Sequence, residues 1–276
     1  MRRNLLALAT LLAAAWACTK DNSSNKEDSF KKGDFVPFKT FVEHYTAPDG
    51  DGEVVVNARF DAQGRTNGFT ITDGSYQIVY EVSYGSDGKF TAVEKEVPAS
   101  GSAVERRRME GTLENGLLKE ATVTEQSTSR VSAEYDRDGH VTKYTNALSG
   151  GVSIVDVFTW TGGNLTGYTS TYTDEKGQES SYSFTYEYGE MENRSGLAAL
   201  MAYPDDFYSY PIGFLLGAAF TKNVPVKKIS YNGDGEMDWG VEYTDFKKDS
   251  NGLITSFVRK GLTEYSGDDF TYTLTY

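Results

Sequence analysis

The chain holds one cysteine, Cys18, and two histidines, His44 and His140, in 276 residues. A single cysteine forms no disulfide within the chain. So little thiol and imidazole also leaves scant material for a Cys-His or Ser-His nucleophile, or for a zinc ligand set. No G-x-S-x-G segment accompanies the histidines. Basic residues are short as well: 27 Lys and Arg against 40 Asp and Glu give a formal charge of −13. That balance argues against a nucleic-acid partner, because phosphate neutralisation needs clustered cations. The one basic run, Arg106-Arg107-Arg108, is flanked by Glu105 and Glu110 and reads as a solvated strand face. No apolar stretch reaches the ~20 residues that a helical membrane span requires. Proline is scarce too, at 6 residues against 28 glycines and 19 tyrosines, a composition suited to strands joined by tight turns.

The lone cysteine has a context. Arg2 and Arg3 begin a positively charged segment, residues 5–15 are apolar, and Ala15-Trp16-Ala17-Cys18 has the small-residue pattern of a lipobox, with Trp16 its bulkiest departure. Residues 1–17 therefore read as a lipoprotein signal peptide and Cys18 as the acylated residue. Ordinary signal cleavage that leaves a free thiol is the alternative. Residues 18–34 are polar, charged and almost free of apolar side chains, as a flexible tether would be. Lys20-Asp21 resembles a short acidic signal for surface export. The expected address is the outer membrane, facing the periplasm or the cell surface, with the membrane as a partner through the Cys18 anchor.

From residue 35 the pattern has period two. Tyr76, Ile78, Tyr80, Val82 and Tyr84 share one face, Tyr182, Phe184, Tyr186 and Tyr188 another, and Phe270, Tyr272, Leu274 and Tyr276 a third. Glycine corners punctuate the strands. Gly64, Gly88, Gly116, Gly139 and Gly163 are 24, 28, 23 and 24 residues apart, which fits two strands and two turns per unit. The expectation is an all-β domain over 35–276, an antiparallel meander of about 15 strands. A sheet that long must curve into a barrel or half-barrel to hide its edges. One segment departs from the rhythm. At 196–220, Leu197, Leu200 and Met201, then Ile212, Leu215, Leu216 and Ala219, recur at helical spacing after Gly196 and Pro211. A short helical insert covering the sheet is expected there.

Tyr135-Asp136-x-x-Gly139-x-Val141-Thr142 resembles a YD-type hairpin repeat. After the 196–220 insert come Thr221-Lys222-Asn223-Val224-Pro225, then a late hairpin with Tyr243, Asp249, Gly252, Leu253, Ile254 and Thr255. In that order, over roughly 50–276, these motifs resemble a family of Bacteroidetes lipoproteins of unknown function with a porin-like antiparallel β fold. The resemblance implies fold and location and brings no catalytic residues. A membrane-spanning barrel would also alternate. The tyrosine-rich faces, and charge on an apolar face such as Asp156 between Ile154 and Phe158, favour aromatics turned inward instead.

Chemistry is thinly marked. Asp49-Gly-Asp51-Gly-Glu53 and Asn232-Gly-Asp234-Gly-Glu236-Met-Asp238 space oxygen ligands as calcium loops do, but their twelfth positions are Phe60 and Tyr243 rather than a bidentate acid. Acidic turns explain both loops, so no metal or cofactor is assigned. Trp160, Trp239 and Tyr168 suit sugar stacking or ordinary cross-strand packing. The function expected is a lipid-anchored, non-enzymatic binding or scaffolding module for glycan, lipid or protein. The alternatives are a polysaccharide-acting enzyme with a carboxylate pair, and a carrier whose cavity holds an apolar ligand.

Overall fold

Alternation and corners assemble into sixteen strands in a computed structural model that describes residues 36, 38–47, 50–61, 66–194, 221–263 and 269–276. The strands are β1 (Thr40–Ala47), β2 (Gly50–Phe60), β3 (Thr66–Asp73), β4 (Tyr76–Tyr84), β5 (Lys89–Val97), β6 (Val104–Glu114), β7 (Leu117–Thr124) and β8 (Thr128–Tyr135). There follow β9 (Val141–Ala147), β10 (Ser153–Thr161), β11 (Asn164–Thr173), β12 (Glu179–Glu192), β13 (Asn223–Tyr231), β14 (Met237–Lys248), β15 (Ile254–Gly261) and β16 (Phe270–Thr275). Each strand pairs antiparallel with its chain neighbours, and β16 returns to β1 with Thr40 opposite Thr275 and Glu43 opposite Tyr272. The sheet is a closed barrel, which removes the exposed edges an open meander would carry. The only helix among the described residues is a single 3-10 turn at Ser149–Gly151. The insert expected at 196–220 lies outside them, as do Cys18 and the tether.

Strand parity gives the barrel two ends. We call proximal the end where β1 begins and β16 finishes, and distal the opposite end. Gly88, Gly116, Gly139 and Gly163 all occupy proximal turns and all take positive φ, from 79° to 86°. The 24-residue rhythm is thus one strand up, one down, and back to the same rim. At Asn115-Gly116 and Gly162-Gly163 both central residues have positive φ, as the tight two-residue hairpin demands. The longer turns share an anchor. Oδ1 of Asp136 accepts the N–H of Asp138 and of His140 at 2.8 and 2.9 Å, and Asp174, Asn232 and Asp249 do the same in their own turns.

The inner face carries the hydrophobic core. Phe41, Val56, Phe69, Ile71, Met109, Leu118, Val141, Leu165, Phe257 and Leu274 are buried in one cluster that runs round the barrel. Side chains with almost no accessible surface leave no water-sized void against them, unlike the aqueous lumen of a wide porin. The outer face is polar, and its strands carry pairs such as Lys95–Glu81 at 2.6 Å, Lys227–Glu187 at 3.2 Å and Lys143–Glu134 at 3.5 Å. A charge facing lipid near the bilayer midplane costs ~2–4 kcal/mol for a cation.

Candidate functional site

Polarity inside the barrel is not evenly spread along its axis. The buried charged residues among those described are Glu43, Glu94, Arg107, Asp156 and Lys228. Glu43 lies midway along β1, and the other four lie in the distal halves of their strands. Each is compensated locally. Arg107 donates from Nη1 to Glu94 at 2.9 Å and from Nη2 to Glu125 at 3.0 Å. Burial works against its charge, but the two carboxylates hold it above its ordinary value. The sequence reading of 106–108 as one solvated face is corrected at its middle. Alternation turns Arg107 inward to 6% exposure, while Arg106 stays exposed and Arg108 half-exposed, paired with Glu96 and Glu105.

Asp156 accepts the Tyr168 hydroxyl at 2.8 Å. It sits in a row, Tyr144–Asp156–Ser170–Tyr182, that crosses β9 to β12 in register. Lys228 lies 4.8 Å from the Phe184 ring centroid and 5.0 Å from that of Trp239, sheltered by the electron-rich ring faces. On β1, burial pushes the Glu43 carboxyl up to about 7, against the hydrogen bond from Tyr272 and the charge of Arg259. The same site raises the Tyr272 phenol well above its usual value, through burial and the neighbouring Glu43.

Each rim also bears an aromatic collar on its inward positions. At the proximal rim three aromatic tips are tied to the wall, although Asn67 Oδ1, buried at the start of β3, has no hydrogen-bond partner. Trp160 donates to the Val141 carbonyl at 2.8 Å, Tyr188 to that of Leu165 at 2.7 Å, and Tyr276 to that of Ile254 at 2.8 Å. The distal collar is formed by Tyr45, Tyr76, Tyr172, Tyr182, Trp239 and Phe270. Tyr45 reaches Asp73 at 3.3 Å, the Tyr182 hydroxyl has no hydrogen-bond partner, and Tyr172 is 44% exposed. The distal mouth is therefore the candidate site.

The residues singled out in the sequence distribute accordingly. Trp239 belongs to the mouth. Trp160 is spent at the proximal rim, stacked at 4.4 Å on His140, and Tyr168 is buried. His140 is half-buried rather than free, with Nδ1 3.1 Å from Asp136. His44 is on the outer face near Thr273. Asp136, Asp138 and His140 bring potential ligand atoms within 4.8 Å of one another, but Asp136 is already the clamp of its own turn. Backbone and side-chain bonds from His140 hold the Asp136 carboxyl below its ordinary value despite the upward push of burial. Asn232, the first residue of one candidate calcium loop, spends Oδ1 on the N–H groups of Asp234 and Glu236. Sequence reasoning missed the Glu94–Arg107–Glu125 cluster. Its one signal was a charge falling on an inward register position.

Solved structures share this fold, two porin-like proteins among them. A porin-like protein from Bacteroides vulgatus ATCC 8482 aligns with 87% of the chain and 98% of its own at TM-score 0.58 and 14% identity. A porin-like protein from Bacteroides uniformis ATCC 8492 aligns with 87% of the chain and 96% of its own, with the same score and identity. No protein-family model matches the chain, and no curated protein does. The chain thus shares the fold of these two proteins, a closed antiparallel barrel with a largely apolar interior and a charged exterior.

Proposed function

We propose that this protein is a lipid-anchored envelope barrel that binds a ligand at its distal mouth. The observation that carries the reading is the contrast between the aromatics of the two rims: Trp160, Tyr188 and Tyr276 end on carbonyls of the wall, whereas Tyr172 is exposed above a band of buried charge. The anchor expected at Cys18 fits that polarity. The chain enters β1 at the proximal end, so acyl chains at Cys18 and a tether over 18–34 would turn the mouth away from the membrane. The porin-like Bacteroides structures support an envelope setting by fold, and the polar outer wall supports a tethered rather than a spanning barrel.

The competing readings have less beneath them. A carrier needs an apolar void, whereas the inner apolar rows have almost no accessible surface. An enzyme needs two carboxylates free to share acid and base roles. Glu94 and Glu125 are bound to one guanidinium, and Glu43, which feels the charge of Asp73, is engaged by the Tyr272 hydroxyl and the charge of Arg259. Metabolic labelling with an alkyne fatty acid tests the anchor. The wild-type chain should incorporate label and Cys18→Ser should not, and an unlabelled mature wild-type protein would refute the anchored reading.

A further inference from the structure

Resting on that binding reading, we infer that the β11–β12–β14 side of the mouth is a carbohydrate subsite that takes an uncharged oligosaccharide. Tyr172 is the most exposed aromatic side chain among the described residues, and it occupies an inward register position at the rim. Beside it runs an aromatic edge: Tyr182 meets Phe184 at 5.6 Å and 90°, and Phe184 meets Trp239 at 5.5 Å and 69°. Tyr182 and Trp239 are only partly buried, so ring surface reaches the opening. Sugars present C–H faces that pack on such rings.

A second, independent observation is the state of two polar atoms. Asn146 is 2% exposed and its Oδ1 has no hydrogen-bond partner; the buried Tyr182 hydroxyl has none either. Buried polar groups are nearly always satisfied, and an unmet one costs about 1–3 kcal/mol. Both belong to the distal rows of this wall. Asn146, Ile154, Tyr172 and Ser180 lie in register across β9 to β12. Asn146 and Tyr172 are therefore two strand spacings apart, about 10 Å, a length that a disaccharide spans.

Charge then selects among ligands. Asp156 is engaged by Tyr168, Lys228 lies against the Phe184 and Trp239 rings, and the flanking turns spend Asp174 and Asn232 on backbone N–H groups. What the inward positions leave is ring faces interleaved with neutral hydroxyl and amide groups, such as Ser180 and Asn146. A lipid tail would leave those polar groups unmet, and a charged ligand would find the buried charges of this inner wall, Asp156 and Lys228, already committed. A polyhydroxylated, uncharged chain matches both sets.

The test is affinity electrophoresis of the folded chain from Cys18 onward through gels containing glycogen, dextran, mannan, xylan or laminarin. At least one should retard it. Tyr172→Ala and Trp239→Ala should each weaken retardation about tenfold, while Trp160→Phe should not. Retardation that survives both mouth substitutions overturns this subsite. Absence of retardation by every polysaccharide overturns the carbohydrate assignment. A parallel titration with the apolar probe 1-anilinonaphthalene-8-sulfonate separates the two levels of the argument. A shift of Trp239 emission in Trp160→Phe, without sugar retention, keeps the mouth as a binding site for another ligand. No response to either overturns the binding reading as well.

Discussion

The two rims of this barrel are made from the same kinds of residue and differ in how those residues are used. At the proximal rim, the Trp160, Tyr188 and Tyr276 tips end on carbonyls of the wall itself. At the distal rim, Tyr172 projects and the Tyr182 hydroxyl is unmet. Beneath the first lies aliphatic and aromatic packing; beneath the second lie Glu94, Arg107, Asp156 and Lys228. Buried charge adds little stability compared with apolar packing of similar volume. Its concentration toward one end therefore points to a use other than holding the fold together. Turn anchoring, a fold-holding task, is met at both ends, by Asp136 and Asp249 at one and by Asp174 and Asn232 at the other.

The largest expected effect comes from breaking the distal ion cluster. Arg107→Met leaves Glu94 buried beside no cation and should cost about 3–5 kcal/mol in denaturant unfolding, with Arg107→Met/Glu94→Met recovering much of it. Next comes Glu43. Its folded pKa of about 7 exceeds the ordinary 4.5, so its contribution is fully present below about pH 4.5 and is lost as pH rises through about 7. The loss is on the order of 3 kcal/mol, and it should flatten out of the stability–pH profile in Glu43→Gln. At the proximal rim, Tyr276→Phe should cost ~1 kcal/mol by removing the bond to Ile254. Smallest is Tyr172→Ala, an exposed rim position, which should change stability by no more than ~0.5 kcal/mol while weakening the proposed sugar retention about tenfold.

Local periodicity made most of the wall legible. The alternating faces at 76–84, 182–188 and 270–276 are inward faces as read, and the glycine corners mark the turns. Closure was not legible, because Thr40 meets Thr275 with almost the whole chain between them and neither segment signals the other. Barrel and half-barrel therefore both stood open, and pairing of β1 with β16 decides for the closed form. The mouth was half visible. Trp239 was a candidate from its chemistry, but Trp160 and Tyr168 looked identical to it, since a sequence does not say which rim a strand end reaches. Arg107 was hidden for a related reason. A run of three like charges looks uniform, yet alternation sends its middle member to the other face.

The contrast between rims is tested most directly by one matched pair of hydroxyl deletions in urea unfolding. Tyr188→Phe should lose ~1 kcal/mol, because it strips a bond from the Leu165 carbonyl, whereas Tyr182→Phe should be neutral or slightly stabilising. Equal losses at both positions would mean that the distal tyrosine is as firmly tied as the proximal one, and the two ends would no longer differ in the way proposed.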